Sequence, residues 1–127
     1  MSESLIKRLS FEFAIVIVRF CKALMSEREF VLSKQLLRSG TSIGANIREA
    51  LNSQSKKEFL HKLSISQKEC DETLFWLELL LASDLVSEVQ YNELHHKAPS
   101  LLRIIRSIIL TTRKNLKESE SSSKPGN

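Results

Sequence analysis

Glycine and proline are scarce, with three and two in 127 residues. β-Sandwiches and barrels need a turn roughly every 8–12 residues, and turns draw on those two residues. The shortage argues against an all-β fold and for few, long elements. Cysteine is scarce too. Cys21 and Cys70 sit in apolar patterns without CxxC spacing, which reads as two buried thiols in a reducing compartment. Long apolar runs are missing. Phe13 to Val18 stops at Arg19, and Ile104 to Leu110 contains Arg106, whereas a spanning helix needs about 20 apolar residues. Glu3, Lys7 and Arg8 precede the first run, so no secretory leader is read. A soluble, cytoplasmic protein is expected. The net charge of +4 is by itself too weak to imply nucleic acid.

What is present is helical periodicity. Leu9, Phe13, Ile17, Phe20 and Leu24 recur every three or four residues, the stripe of an amphipathic helix over about 10–25. Ser26-Glu27-Arg28-Glu29 has the capping-box pattern and predicts a second helix over about 27–53. Ser55-Lys56-Lys57-Glu58 predicts a third over about 55–82, with Leu63, Cys70 and Leu77 in a seven-residue seam. Ser87-Glu88-Val89-Gln90 opens a fourth over about 87–116, kinked at Pro99. Residues 118–127 are Ser-rich and are expected to form a disordered tail. Helices joined by a few residues pack as antiparallel neighbours, so the expected fold is an all-α, antiparallel up-down-up-down four-helix bundle spanning residues 1–117.

The stretch Arg38-Ser39-Gly40-Thr41-Ser42-Ile43-Gly44-Ala45-Asn46-Ile47-Arg48-Glu49-Ala50 resembles the signature of the 23S rRNA-intervening-sequence protein family. Phe59-Leu60-His61-Lys62-Leu63 and Trp76-Leu77-Glu78-Leu79-Leu80 look like the same family, and the resemblance runs from about Ser10 to Lys117. It implies a bacterial four-helix bundle that assembles as a homo-oligomer, often a pentamer. It also implies kinship with the accessory variability protein of diversity-generating retroelements, which accompanies a reverse transcriptase and binds nucleic acid. Read physically, Gly40 and Gly44 share one helix face and admit a neighbouring helix closely. Asn46 and Glu49 lie to one side of that motif, where at least one is expected to hydrogen-bond a neighbouring helix or subunit.

Catalytic and metal patterns are thin. Gly40 to Gly44 lacks the Gly-Lys-Ser/Thr ending of a phosphate loop and follows no strand. Glu58-x-x-His61 and Glu93-x-x-His96, with Glu12 and Glu49, imitate a di-iron bundle set. In a hairpin turning near residue 84, Glu93 pairs opposite Trp76, roughly 27 Å from Glu58. No metal, other cofactor or catalytic residue is therefore assigned, and no enzyme is expected.

Charge is more informative once placed on the chain. Glu69, Asp71, Glu72, Glu78, Asp84, Glu88 and Glu93 occur between residues 69 and 93 without a base. Lys97, Arg103, Arg106, Arg113, Lys114 and Lys117 follow without an acid. In an antiparallel bundle this makes one acidic end and one basic end. Lys56, Lys57, Arg106, Arg113, Lys114 and Lys117 are the candidate nucleic-acid contacts, and no aromatic interleaves them for base stacking. Ile15, Val16, Phe75, Trp76 and Leu79 fall outside the predicted seams and are the candidate oligomer interface. The expected function is a non-enzymatic homo-oligomer presenting a basic surface to RNA or DNA. The alternative is a protein-only scaffold, for example for a reverse transcriptase. No membrane partner is expected.

Overall fold

The computed structural model describes residues 2–123. Five helical segments follow in order: α1 (Ser2–Ser26), α2 (Val31–Leu51), α3 (Lys56–Ala82), α4 (Glu88–His95) and α5 (Lys97–Ser123). No strand occurs among the described residues. α4 and α5 together make the fourth arm, so the architecture is a four-helix bundle. α1 packs on α2, α2 on α3 and α3 on α5, and α1 and α3 occupy diagonal corners.

α1 starts eight residues before the expected position because the apolar stripe extends back to Ile6, which is 1% exposed and seven residues from Phe13. α2 starts at Val31, not near 27. Ser26 does not cap it, since its hydroxyl donates to the Ala23 carbonyl at 2.7 Å in the last turn of α1. Arg28, at φ 66°, reverses the chain, and the Glu29 N–H closes back onto the Leu24 carbonyl at 2.9 Å. The Glu29 carboxylate then accepts from the Leu32 N–H at 2.9 Å, taking up one free donor of α2.

Ser55 caps α3, accepting from the Glu58 N–H at 3.1 Å, while Glu58 reaches past it to the Gln54 N–H at 3.2 Å. Ser87 and Gln90 form a complete reciprocal box at the start of α4. Pro99 has no N–H for the His95 carbonyl, and the arm is interrupted at the single residue His96. Ser100 then bonds the His96 carbonyl through its hydroxyl at 2.9 Å.

The helix continues through 118–123, where the Ser-rich composition predicts a disordered tail. Leu116, Lys117, Glu118 and Glu120 include good helix formers that carry α5 on. Residues 124–127 of that expected tail lie outside the described residues.

The core is one cluster that includes Phe13, Ile17, Leu36, Ile43, Ile47, Leu63, Leu77, Leu94 and Ile105. α2 and α3 are also pinned by buried polar bonds. Ser66 donates to the Ile43 carbonyl at 2.9 Å, and Thr73 to the Ser39 hydroxyl at 3.0 Å. These hydroxyls are satisfied, so their burial is compatible with stability.

Candidate nucleic-acid interface

The register of α3 against α5 follows from Cys70, whose Sγ lies 3.3 Å from the Ala98 carbonyl. Counting 14 residues back along α3 and 14 forward along α5 puts Lys56 level with Thr112. Lys56 and Lys57 are therefore at about the same level of the bundle as Arg113 and Lys114, all four exposed. Among the described residues no buried core residue of α5 lies beyond Ile109, and α5 runs on past the level at which α3 begins. Arg106, Leu110, Arg113 and Lys117 succeed one another at spacings of four, three and four, a single ridge. Leu110 within it is 66% exposed.

Arg106 is set apart from the others. It lies about 10 Å up the helix from Arg113, and its guanidinium comes within 3.8 Å of Asp71. Among the described residues no ion pair engages Lys56, Lys57, Arg113, Lys114 or Lys117. These five gather positive charge at one end, and the acidic run surrounds the α3–α4 turn at the other.

The remaining site candidates distribute as follows. A Cβ on Gly40 would sit 2.8 Å from Ile17, and one on Gly44 would sit 3.3 Å from the Ser10 carbonyl oxygen, so both glycines mark the close approach of α1 and α2. Glu49 accepts from Lys62 of α3 at 2.9 Å, whereas Asn46 donates within its own helix to the Ser42 carbonyl at 2.8 Å. Ile15 is exposed on the outer side of α1, and Val16 turns away from it toward α4 and α5. Phe75 is exposed on α3, with Trp76 packed edge-on at 5.0 Å and Leu79 half-buried beside them. The structure thus places the five proposed interface residues on separate corners.

Phe11, Val18 and Met25, exposed in line with Ile15, are additions to that set. Their spacing in the sequence is a second, weaker helical stripe. A cleft of about 1100 Å³ also opens between α1 and the α4–α5 arm. Leu9, Phe13, Val16 and Phe20 form one wall, and Val89, Glu93, His96 and Leu101 the other. It borders the interruption at His96, a feature of packing that no local pattern announces.

Among the described residues, no group of three or more His, Cys, Asp or Glu side chains is placed to hold a metal ion. Burial pushes the Cys21 thiol up to about 11. It pushes Cys70 up to about 12, with Asp71 adding to the rise and Arg106 opposing it. Both thiols are free and buried, so they are poor nucleophiles near neutrality. No described helix is long and apolar enough to cross a membrane.

The model of the 23S rRNA-intervening sequence protein family matches residues 2–107. The chain belongs to that family. A crystal structure of a protein of unknown function from the S23 ribosomal protein family of Bacteroides thetaiotaomicron VPI-5482 is similar, with 45% identity and a TM-score of 0.84. The likeness covers 86% of this chain and 98% of that one. No curated protein matches. The family match reaches further toward the N-terminus than the motifs suggest, taking in Ile6. It stops six residues before Arg113, so three of the six candidate contacts lie beyond the part shared with the family model.

Proposed function

We propose that this member of the 23S rRNA-intervening sequence protein family is a non-enzymatic homo-oligomer that binds RNA or DNA through its basic end. The observation that carries the reading is the cluster of Lys56, Lys57, Arg113, Lys114 and Lys117. These residues are exposed, have no ion pair among the described residues and come from two helices at one end of the bundle. Arg106 extends the ridge. Such a surface meets phosphates without reading bases, so binding is salt-sensitive and weakly sequence-specific. Oligomerisation repeats the basic end and multiplies its effective affinity. The family's name, which refers to intervening sequences of 23S rRNA, supports an RNA setting. Cytoplasmic residence accords with two free cysteines.

The test replaces all six bases together by Glu and measures affinity for RNA and DNA at moderate salt. Loss of binding is expected, and unchanged affinity overturns the proposal. The cleft between α1 and the α4–α5 arm favours a second reading, a scaffold that holds a protein such as a reverse transcriptase. Pull-down after nuclease treatment separates the two. Partners that survive nuclease support the scaffold, and loss of all partners supports nucleic acid.

A further inference from the structure

The end of the bundle opposite the basic cluster carries a surface that the nucleic-acid reading leaves unused. Between α1 and α2, the Cys21 thiol donates to the Ser33 carbonyl at 3.4 Å. Between α2 and α3, Thr73 donates to the Ser39 hydroxyl at 3.0 Å. Counting outward along the helices from these two contacts puts Leu24, Phe30 and Ala82 at one level. The α1–α2 turn and the α3–α4 turn therefore close the same end. Val89, at the start of α4, lines the cleft together with Ala23 of α1 and belongs to that end as well.

Phe30, Val31, Leu85 and Val89 are 57%, 74%, 38% and 76% exposed. They frame the end of the core, where Leu24 and Val86 are buried. Large apolar side chains gathered in water at one place mark an interaction surface. The charge around them is mainly of one sign. Glu27, Asp84 and Glu88 are exposed and in no ion pair among the described residues, and Arg28 is the one base of the two turns. The Glu29 carboxylate is taken up by the Leu32 N–H. One turn further in, Glu78 and Glu93 offset Lys22 and Lys34, so the acids keep the balance.

We propose that this end docks an amphipathic helical segment of another protein, one that carries apolar and basic side chains. Its apolar side covers Phe30, Val31, Leu85 and Val89, and its lysines or arginines meet Glu27, Asp84 and Glu88 at the edge. The same acids repel a nucleic acid. The chain's own basic end matches the charge but not the apolar surface, since Leu5 and Leu110 are the large apolar residues it exposes. Neighbouring helix axes lie about 8–10 Å apart and each helix is about 10–12 Å thick. The end is therefore roughly 20 Å across, the length of a helix of about 14 residues. The inference does not depend on what the basic end binds. With a nucleic acid at that end, the molecule joins protein to nucleic acid along its length.

The probe is a dye-labelled amphipathic peptide of leucine and lysine, about 14 residues long. A leucine–glutamate peptide of the same pattern is its counterpart. Binding to the full chain is read by fluorescence anisotropy at moderate salt. The leucine–lysine peptide is expected to bind at least tenfold more tightly. Phe30→Ser with Val89→Ser is expected to weaken its binding at least tenfold, and Glu27→Lys with Glu88→Lys to reverse the preference. Leu110→Ser, at the far end, is expected to change neither affinity. Circular dichroism checks the helical content of each variant.

Equal affinity for the two peptides overturns the proposal, as does leucine–lysine binding that survives Phe30→Ser with Val89→Ser. If that double variant loses helix, Val89→Ser alone serves, because its side chain stands mostly in water. It is expected to weaken binding about threefold, and an unchanged affinity counts against the site. A native mass that falls in these variants without any peptide makes the occupant a second copy of the chain and overturns the assignment to another protein. Saturating RNA is expected to leave peptide binding intact, and displacement of the peptide by RNA overturns the separation of the two ends. RNA that fails to bind at all overturns the nucleic-acid reading and leaves this one standing.

Discussion

Gly40 faces Ile17 so closely that an added Cβ would lie 2.8, 2.9 and 3.0 Å from three of its side-chain carbons. Ile17 is fully buried and β-branched, with little freedom to turn aside. Gly40→Ala gains about 1 kcal/mol of helix propensity but overpacks a tight contact at about 1–3 kcal/mol. A net loss of about 1 kcal/mol is expected, and a larger one for Gly40→Val, read from urea midpoints. Gly44→Ala meets the Ser10 carbonyl oxygen at a milder 3.3 Å and is expected to be close to neutral. An equal loss at both sites would contradict this difference in space.

The turns show the other side of glycine scarcity. Arg28 and Asp84 hold φ of 66° and 59°, conformations glycine adopts without strain. Arg28→Gly and Asp84→Gly are each expected to stabilise the fold by roughly 0.5–1 kcal/mol. Thermal unfolding checks this, and a drop in Tm would show that the native side chains hold the turns in some other way.

Much of the fold is legible in the sequence because it follows from local chemistry. The Ser55 and Ser87 patterns cap helices as their spacing requires. Ser26 carries the same pattern and fails, because burial of Leu24 and the contact of Cys21 with Ser33 hold α1 helical to its end. Ile6 lies one heptad before Phe13, yet the charged residues around it disguise the start of α1. The basic cluster is legible as a run of bases. That Arg106 leans on Asp71 depends on which corner α5 turns toward α3, a property of packing. Phe11, Val18 and Met25 are missed for the same reason, since a second stripe on one helix has meaning only once the first is buried.

The thiols give a pH prediction. Folding raises both thiol pKa values from about 9, to about 11 for Cys21 and about 12 for Cys70. The native state therefore keeps its protons when the unfolded chain has lost them. Stability is unaffected below about pH 8 and falls as the pH rises from about 9 toward 11, by up to roughly 1.4 kcal/mol per unit for each thiol. Urea unfolding at pH 8 and pH 10 measures the slope. Replacing both cysteines by Ala should flatten it, and an unchanged slope would assign the effect to other groups. At pH 8 both thiols should resist alkylation until the protein unfolds.

Salt dependence separates the two parts of the basic end. If Lys56, Lys57, Arg113, Lys114 and Lys117 all meet phosphates, removing the last three should reduce the slope of log affinity against log salt by about 2–3. Removing Arg106 alone should change it by less than one, since Asp71 already shares its charge. A larger effect from Arg106 than from the other three would place the nucleic acid higher on the bundle. The measurement is a salt titration of binding to a duplex and to a single strand.

The cleft has a bearing on how the molecule opens. It lies on the seam joining the first helix to the last, a closure made across nearly the whole chain and so the costliest in loop entropy. That seam is also the least densely packed, whereas α2 and α3 are sequence neighbours fastened by Ser66, Thr73 and the Glu49–Lys62 pair. Amide hydrogens of α2 and α3 should therefore exchange last, as one cooperative unit. The α1–α5 seam should part first, and the interruption at His96 that borders it should loosen along with it.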